Sequence, residues 1–253
     1  MIPKIIHYCW FGRNPLPPLA LKCIESWKKY LPDYEIKEWN EDNFDVNIIP
    51  YTREAYEAKK YAFVSDYARF WILYKYGGLY FDTDVEVVNN MDDIIKRGPF
   101  MGREAGAFIM GSRTESTNFG LGVNPGLGLG VIPGLAIYEK ILNKYSTLRF
   151  IVNGKLDETT IVKYTSDILN EFPIQNITNG IDMIEQIYIY SPEYFCPIDC
   201  HTGEIHVTEK TRTIHHYSAT WKTTKQKNKE RLIRILGPKL TSLLIYLKHQ
   251  FKS

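Results

Sequence analysis

Apolar positions change period twice within the first forty residues. Ile2 to Phe11 carries a near-continuous apolar run, Lys4-Ile5-Ile6-His7-Tyr8-Cys9-Trp10, which reads as a buried strand ended by Gly12 and the loop Asn14-Pro15-Leu16-Pro17-Pro18. Leu21, Ile24, Trp27 and Leu31 then recur at helical spacing over Leu19 to Leu31, and Pro32-Asp33 stops that helix before a second strand, Tyr34 to Trp39. Strand, helix, strand is a β-α-β opening and predicts a parallel sheet. Asn40 to Pro50 is a polar loop whose acids Glu41, Asp42 and Asp45 are expected to face solvent. Thr52 to Tyr76, with alanines at 55, 58, 62 and 68 among long side chains, predicts one continuous helix closed by Gly77-Gly78. The double glycine releases a short strand, Gly77-Gly78-Leu79-Tyr80-Phe81-Asp82-Thr83-Asp84-Val85, that runs into two aspartates one residue apart.

Periodicity then fades. Residues 98 to 134 hold ten of the seventeen glycines with no helical spacing between them, and read as loops around a substrate. Gly126-Leu127-Gly128-Leu129-Gly130 is not a dinucleotide fingerprint, since it follows no clear strand and has no acidic residue about twenty positions on in a βαβ frame. Helices are predicted for Gly134 to Leu148 and for Asp157 to Asn170, where Asp157 and Glu158 would favour the first turn through the helix dipole. Ile187 to Phe195 reads as a strand. Thr213-Ile214-His215-His216-Tyr217-Ser218-Ala219-Thr220-Trp221 reads as a strand end carrying paired histidines. Beyond Asn228 an amphipathic helix is predicted, broken at Gly237-Pro238, with Leu240, Leu243, Leu244, Leu247 and Phe251 in one stripe flanked by Lys239, Lys248 and Lys252.

A chain of 253 residues with 44% hydrophobic content holds one large domain with appendages and is neither disordered nor fibrous. The formal charge of +2 hides an asymmetry. Residues 222 to 253 carry nine Lys/Arg against one acid, a net +8, which leaves −6 on the rest. We therefore expect an acidic body, residues 1–222, and a basic amphipathic tail, 223–253, that meets an anionic membrane surface. The tail's only aromatics are Tyr246 and Phe251 and it holds no RNA-binding motif, so no nucleic-acid partner is expected. Cys9, Cys23, Cys196 and Cys200 lack zinc or redox spacing and read as buried reduced thiols. With neither signal-peptide organisation nor an apolar span of about 18 residues, the body is expected in the cytoplasm, peripheral on the inner face of the cell membrane.

The chemistry gathers at Asp82-Thr83-Asp84. Two carboxylates at i and i+2 on a strand share a face, and hard oxygen ligands suit Mg²⁺ or Mn²⁺ bound to the diphosphate of a sugar nucleotide. Asp66 and Arg69, at i and i+3, share one face of the helix that leads into this strand. A neutral imidazole is a further Mn²⁺ ligand type. Paired carboxylates also serve glycoside hydrolysis, but Asp82 and Asp84 are too close along one strand to flank a glycosidic bond.

Four motifs occur in order: Ile6-His7-Tyr8-Cys9-Trp10-Phe11-Gly12, Ser65-Asp66-Tyr67-Ala68-Arg69, Gly77 through Asp84, and His215-His216 through Trp221. Together they resemble glycosyltransferase family 32, the Asp-x-Asp group that includes capsular polysaccharide and yeast mannosyl transferases, and more distantly the catalytic domain of the large glucosylating toxins. The resemblance covers roughly residues 1–95 and 210–222. It implies a GT-A fold, a Rossmann-like and mostly parallel central sheet with flanking helices, and retaining transfer from a sugar nucleotide with Mn²⁺ or Mg²⁺. By the same resemblance Trp10 stacks on the base, His7 and Gly12 line that end of the pocket, and Asp66 and Arg69 hold the sugar. Asp82 would reach ribose, sugar and metal, Asp84 and His216 would bind the metal, and Ser218 and Trp221 would close over the diphosphate. The family's Gly-Ser-Trp ending is Ala219-Thr220-Trp221 here, which leaves the Thr220 hydroxyl without an assigned role. The donor is expected to be UDP-galactose, with GDP-mannose as the alternative, and the acceptor a glycan, lipid-linked through polyprenyl diphosphate in capsule or exopolysaccharide synthesis. A non-catalytic module docking on an anionic surface is the competing class.

Overall fold

The computed structural model describes residues 1–104, 122–178, 180–198 and 205–218. The chain opens with β1 (Ile5–Cys9), α1 (Pro18–Tyr30), β2 (Glu35–Trp39), α2 (Pro50–Glu57) and α3 (Tyr61–Tyr76). It continues with β3 (Gly78–Tyr80), β4 (Val85–Val87), α4 (Asp92–Arg97), β5 (Phe100–Gly102), β6 (Leu129–Val131) and α5 (Ala136–Ser146). The last third holds the hairpin β7 (Ile151–Val152) and β8 (Lys155–Leu156), α6 (Ile161–Leu169), β9 (Ile174–Thr178), β10 (Ile181–Ile184), β11 (Ile187–Tyr190), α7 (Pro192–Phe195) and β12 (Thr213–His215).

Eight strands form the central sheet in the order β2-β1-β3-β6-β5-β11-β10-β9. Six of them run the same way; β6 and β10 are reversed. This is a mostly parallel, Rossmann-like arrangement, with helices covering both faces. Alternation along the strands feeds two cores: Ile6, Tyr8, Leu79 and Phe81 pack with Trp27 of α1 on one face, while Cys9 and Tyr80 pack with Phe70 and Leu73 of α3 and Tyr145 of α5 on the other. Burial raises the thiols of Cys9 and Cys23 to about 12, so both stay protonated.

Several boundaries differ from the sequence expectation. The predicted single helix 52–76 is two, because Lys59 adopts a left-handed φ of 57° and the Lys60 amide bonds Ala55 O at 2.8 Å. The strand predicted for Ile187 to Phe195 ends at Tyr190, and Pro192 starts the one-turn α7. The helix predicted from Asp157 begins at Ile161 with Thr160 as its cap, while Asp157 instead holds the Thr159 amide in a turn. The glycine-rich stretch contributes β5 and β6, which lie inside the sheet. Gly130 is needed there, since a Cβ would stand 2.1 Å from the Phe100 ring. Among the described residues no helix is long and apolar enough to cross a membrane. The basic tail, Cys200, Thr220 and Trp221 lie outside the described residues.

Candidate active site

Parallel neighbours place equivalent loops at one edge. β1 and β3 pair in parallel, so Trp10 and Gly12 beyond β1 and Asp82 beyond β3 all leave the carboxyl edge of the sheet, where α/β proteins bind ligands. Trp10 is half-buried, its indole N–H held by Asn14 O at 2.6 Å. Gly12 has φ 95°, and a Cβ there would strike the Tyr61 ring. Its amide donates to Glu41 Oε1 at 2.6 Å, which draws that loop acid into the structure rather than leaving it in solvent. His7 lies behind this edge. It is buried, Nε2 donates to Gly77 O at 3.0 Å, and Nδ1 accepts from Trp39 Nε1 at 3.1 Å. Burial lowers its pKa to about 4, so the ring is neutral and ties β1 to the double glycine rather than to a ligand.

Asp82 and Asp84 do not sit on a strand. They flank a turn between β3 and β4, closed by Val85 N to Asp82 O at 3.0 Å, and it is the turn that aims both carboxylates at one place. Arg69, itself buried, reaches Asp66 Oδ1 at 2.8 Å and Asp82 Oδ1 at 3.2 Å, stands over the Tyr80 ring at 4.8 Å, and donates from Nε to Ser65 O. Tyr80 OH adds a bond to Asp82 Oδ1 at 3.1 Å. Burial pushes the Asp66 carboxyl up to about 7; Arg69 opposes this and the Asp82 charge reinforces it. Arg69 is thus a buried cation that organises two acids, which is the contact the i, i+3 spacing foretold.

Strand β12 completes the cluster. It pairs antiparallel with β4 directly after the turn, with His215 opposite Val85, so a residue 131 positions later lands on Asp84. The histidine that arrives is His215, not His216. His215 Nε2 lies 3.1 Å from Asp84 Oδ1, and ligand atoms of Asp82, Asp84 and His215 fall within 4.8 Å of one another. Alternation along the strand sends the His216 ring the other way, to Glu86 Oε2 at 2.9 Å, so the expected ligand His216 stands outside the cluster that His215 joins. Tyr217 then takes a left-handed φ of 48°, which turns both the amide and the hydroxyl of Ser218 onto Asp84 Oδ2 at 2.8 Å each. Burial works against the Asp84 charge, but His215 and Ser218 together hold its carboxyl well below the usual range. His215 is likewise raised, burial being outweighed by Asp84.

The donor set fits a hard divalent cation. Two carboxylates and one imidazole converge, and the second ring nitrogen of His215, Nδ1, is buried with no hydrogen-bond partner among the described residues. Gly126 lies against the same point: its carbonyl accepts from the Asp82 amide, and a Cβ on it would stand 2.3 Å from Asp82 Oδ2. The sequence offered no reason to single out Gly126, Ser218's bond to Asp84 or His215. The one signal available was strand alternation through Thr213 and His215.

Geometry of this kind suits a hard divalent cation at the carboxyl edge of an α/β sheet, and comparison with known proteins puts both aspartates within a sugar-binding region. Residues 17–101 match the family model described as "Glycosyltransferase sugar-binding region containing DXD motif". An uncharacterised glycosyltransferase of Acanthamoeba polyphaga mimivirus is 29% identical over 210 residues, 79% of each chain. Inositol phosphoceramide mannosyltransferase 3 of Schizosaccharomyces pombe is 34% identical over 98 residues, 37% of this chain and 27% of that one. The chain thus spans about a quarter of the length of this yeast relative. A solved glycosyltransferase involved in the glycosylation of the major capsid of PBCV-1 aligns over 90% of this chain and 98% of that one, with 12% identity and a TM-score of 0.48. The protein is a glycosyltransferase that carries the DXD sugar-binding region.

Proposed function

We propose that the protein is a retaining, metal-dependent hexosyltransferase that takes galactose from UDP-galactose to a glycan acceptor. The observation that carries the metal part is the convergence of Asp82, Asp84 and His215 at the carboxyl edge of the sheet, on the turn that follows β3. Mn²⁺ or Mg²⁺ held by these three would neutralise charge on the nucleoside diphosphate as the anomeric C–O bond breaks. The chain supplies the rest. Ser218 and His215 keep Asp84 ionised, Arg69 and Tyr80 fix the Asp82 carboxylate, and Trp10 offers a flat ring at the same edge for the base. Asp66, raised toward 7 and pinned by the same Arg69 that holds Asp82, is the group we assign to the sugar hydroxyls.

GDP-mannose is the second reading, favoured by the names of the yeast relatives, inositol phosphoceramide mannosyltransferases. The acceptor we propose is lipid-linked, and residues 223–253 bring the enzyme to the cytoplasmic membrane face through their lysines and leucine stripe. Turnover of a sugar-nucleotide panel with and without Mn²⁺, with product anomericity by NMR, tests donor, metal and stereochemistry together. Turnover undiminished with EDTA and no divalent cation, or an inverted product, contradicts the proposal. Vesicle co-sedimentation tests the tail: replacing Lys239, Lys248 and Lys252 by Glu should abolish binding to anionic vesicles, and unchanged binding would remove its membrane role. Salt-sensitive vesicle binding with no turnover of any donor would favour the non-catalytic module.

A further inference from the structure

We infer that Glu104 is a substrate-binding residue whose open carboxylate oxygen accepts a hydrogen bond from a sugar hydroxyl next to the metal cluster; this rests on the sugar-transfer reading above. Position comes first. β5 runs in the same direction as β3, and Glu104 stands two residues beyond β5 as Asp82 stands two beyond β3, so both leave the same edge of the sheet. The carboxylate is also held in place. Its Oε2 accepts from Asn124 Nδ2 at 2.7 Å and from Tyr217 OH at 3.1 Å, and its backbone amide is anchored on Gly122 O.

Both clamps belong to the cluster. Asn124 is buried, and its Oδ1 fixes the Gly126 amide at 2.8 Å, in the loop that lies against Asp82. The Tyr217 ring packs on His215 with centroids 4.1 Å apart, and its hydroxyl also meets Cys196 Sγ at 3.1 Å, so the thiol donates to the phenol oxygen while the phenol donates to Glu104. The strained backbone at Tyr217 serves two ends at once, Ser218 on Asp84 and the phenol on Glu104. Glu104 Oε1 has no partner among the described residues. Glu104 is not among the three cluster ligands, and an anion with no cation between repels a diphosphate, whereas it suits a neutral polyol whose hydroxyls donate. Two sources supply that chemistry, the transferred hexose and the acceptor sugar.

Glu104→Gln presents an amide N–H₂ where the hydroxyl needs an acceptor. With UDP-galactose and GDP-mannose as probes, we compare donor hydrolysis without acceptor and transfer to a glycan acceptor, each in wild type, Glu104→Gln and Tyr217→Phe, with thermal unfolding as the control on folding. A rise of about tenfold in KM for donor in both reactions assigns the hydroxyl to the transferred hexose; the same rise for acceptor alone, with hydrolysis intact, assigns it to the acceptor. Tyr217→Phe, which keeps the carboxylate but loosens it, should give a smaller rise in the same parameter. Both KM values within about twofold of wild type in Glu104→Gln overturn the inference while wild-type turnover leaves the transferase reading intact. Equal loss of kcat with a lowered unfolding temperature and no change in KM also overturns it, as a structural role. Absence of turnover in wild type itself overturns the reading beneath.

Discussion

His7, in the middle of β1, and His215, at the end of β12, are both buried histidines on short strands, and the molecule treats them in opposite ways. Each nitrogen of His7 has a partner inside the protein, Gly77 O and Trp39 Nε1, and neither partner carries charge. Burial therefore wins, and the ring stays neutral down to about pH 4. His215 has a carboxylate on one nitrogen and, among the described residues, no partner on the other, so the charge of Asp84 outweighs burial and the ring is raised. A histidine with both nitrogens satisfied by neutral groups is a rivet. One with an acid beside it, a buried nitrogen unpartnered among the described residues and two aspartates close by has the surroundings of a cation ligand, the role proposed above. The difference lies in the partners, which neither burial nor residue type reveals.

The comparison breaks most visibly at Asp84. Asp84→Ala should lower Mn²⁺-dependent turnover about 10³-fold or more, because it removes a metal ligand and leaves His215 buried without its counter-charge. His7→Leu should leave the metal site in place but cost about 3 kcal/mol in chemical unfolding, since the Gly77 carbonyl and the Trp39 N–H lose their buried partner together. A turnover loss in His7→Leu as deep as that of Asp84→Ala would erase the distinction drawn here.

Acidity offers a milder test. The folded pKa of His7 lies below its unfolded value of 6.5, so the stability it contributes is complete above pH 6.5 and is lost as pH falls toward 4, by at most about 3 kcal/mol. In the metal-free protein the raised His215 acts in the other sense: its contribution is complete below pH 6.5 and fades as pH rises through its folded pKa. Unfolding midpoints in urea between pH 4 and 9, with EDTA, should show the acid limb flatten in His7→Leu and the alkaline limb flatten in His215→Gln. An acid limb unaltered in His7→Leu would place the titration elsewhere. The smallest effect is expected from His216→Ala, whose partner Glu86 also pairs with Lys22 in a half-exposed setting: less than about threefold in turnover.

Much of this arrangement was visible in the chain before folding was considered. The apolar run of β1, the double glycine and the two aspartates are local signals; β1 and β3 formed where their residues pointed, while the aspartates fell in the turn after β3 rather than on the strand. Asp66 and Arg69 met because i, i+3 spacing on a helix leaves them little choice. The break between α2 and α3 was not visible, since it hangs on a left-handed Lys59, a residue type with no preference for that conformation. The choice between His215 and His216 was hidden for another reason: it depends on the register of β12 against β4, a pairing between segments about 130 residues apart. Glu104 was hidden too, because its setting is made by Asn124 and by Tyr217, 113 residues away, and a lone glutamate in a glycine-rich stretch carries no local mark.

The central claim is that Asp82, Asp84 and His215 form the cation site, and Mn²⁺ binding reads it without reference to any sugar. Titration followed by the free-ion electron paramagnetic resonance signal, with UDP present, should show saturable binding in wild type. Binding should weaken at least about tenfold in Asp84→Ala and His215→Ala and stay within about twofold in His216→Ala. Loss of binding in His216→Ala with retention in His215→Ala would contradict the account.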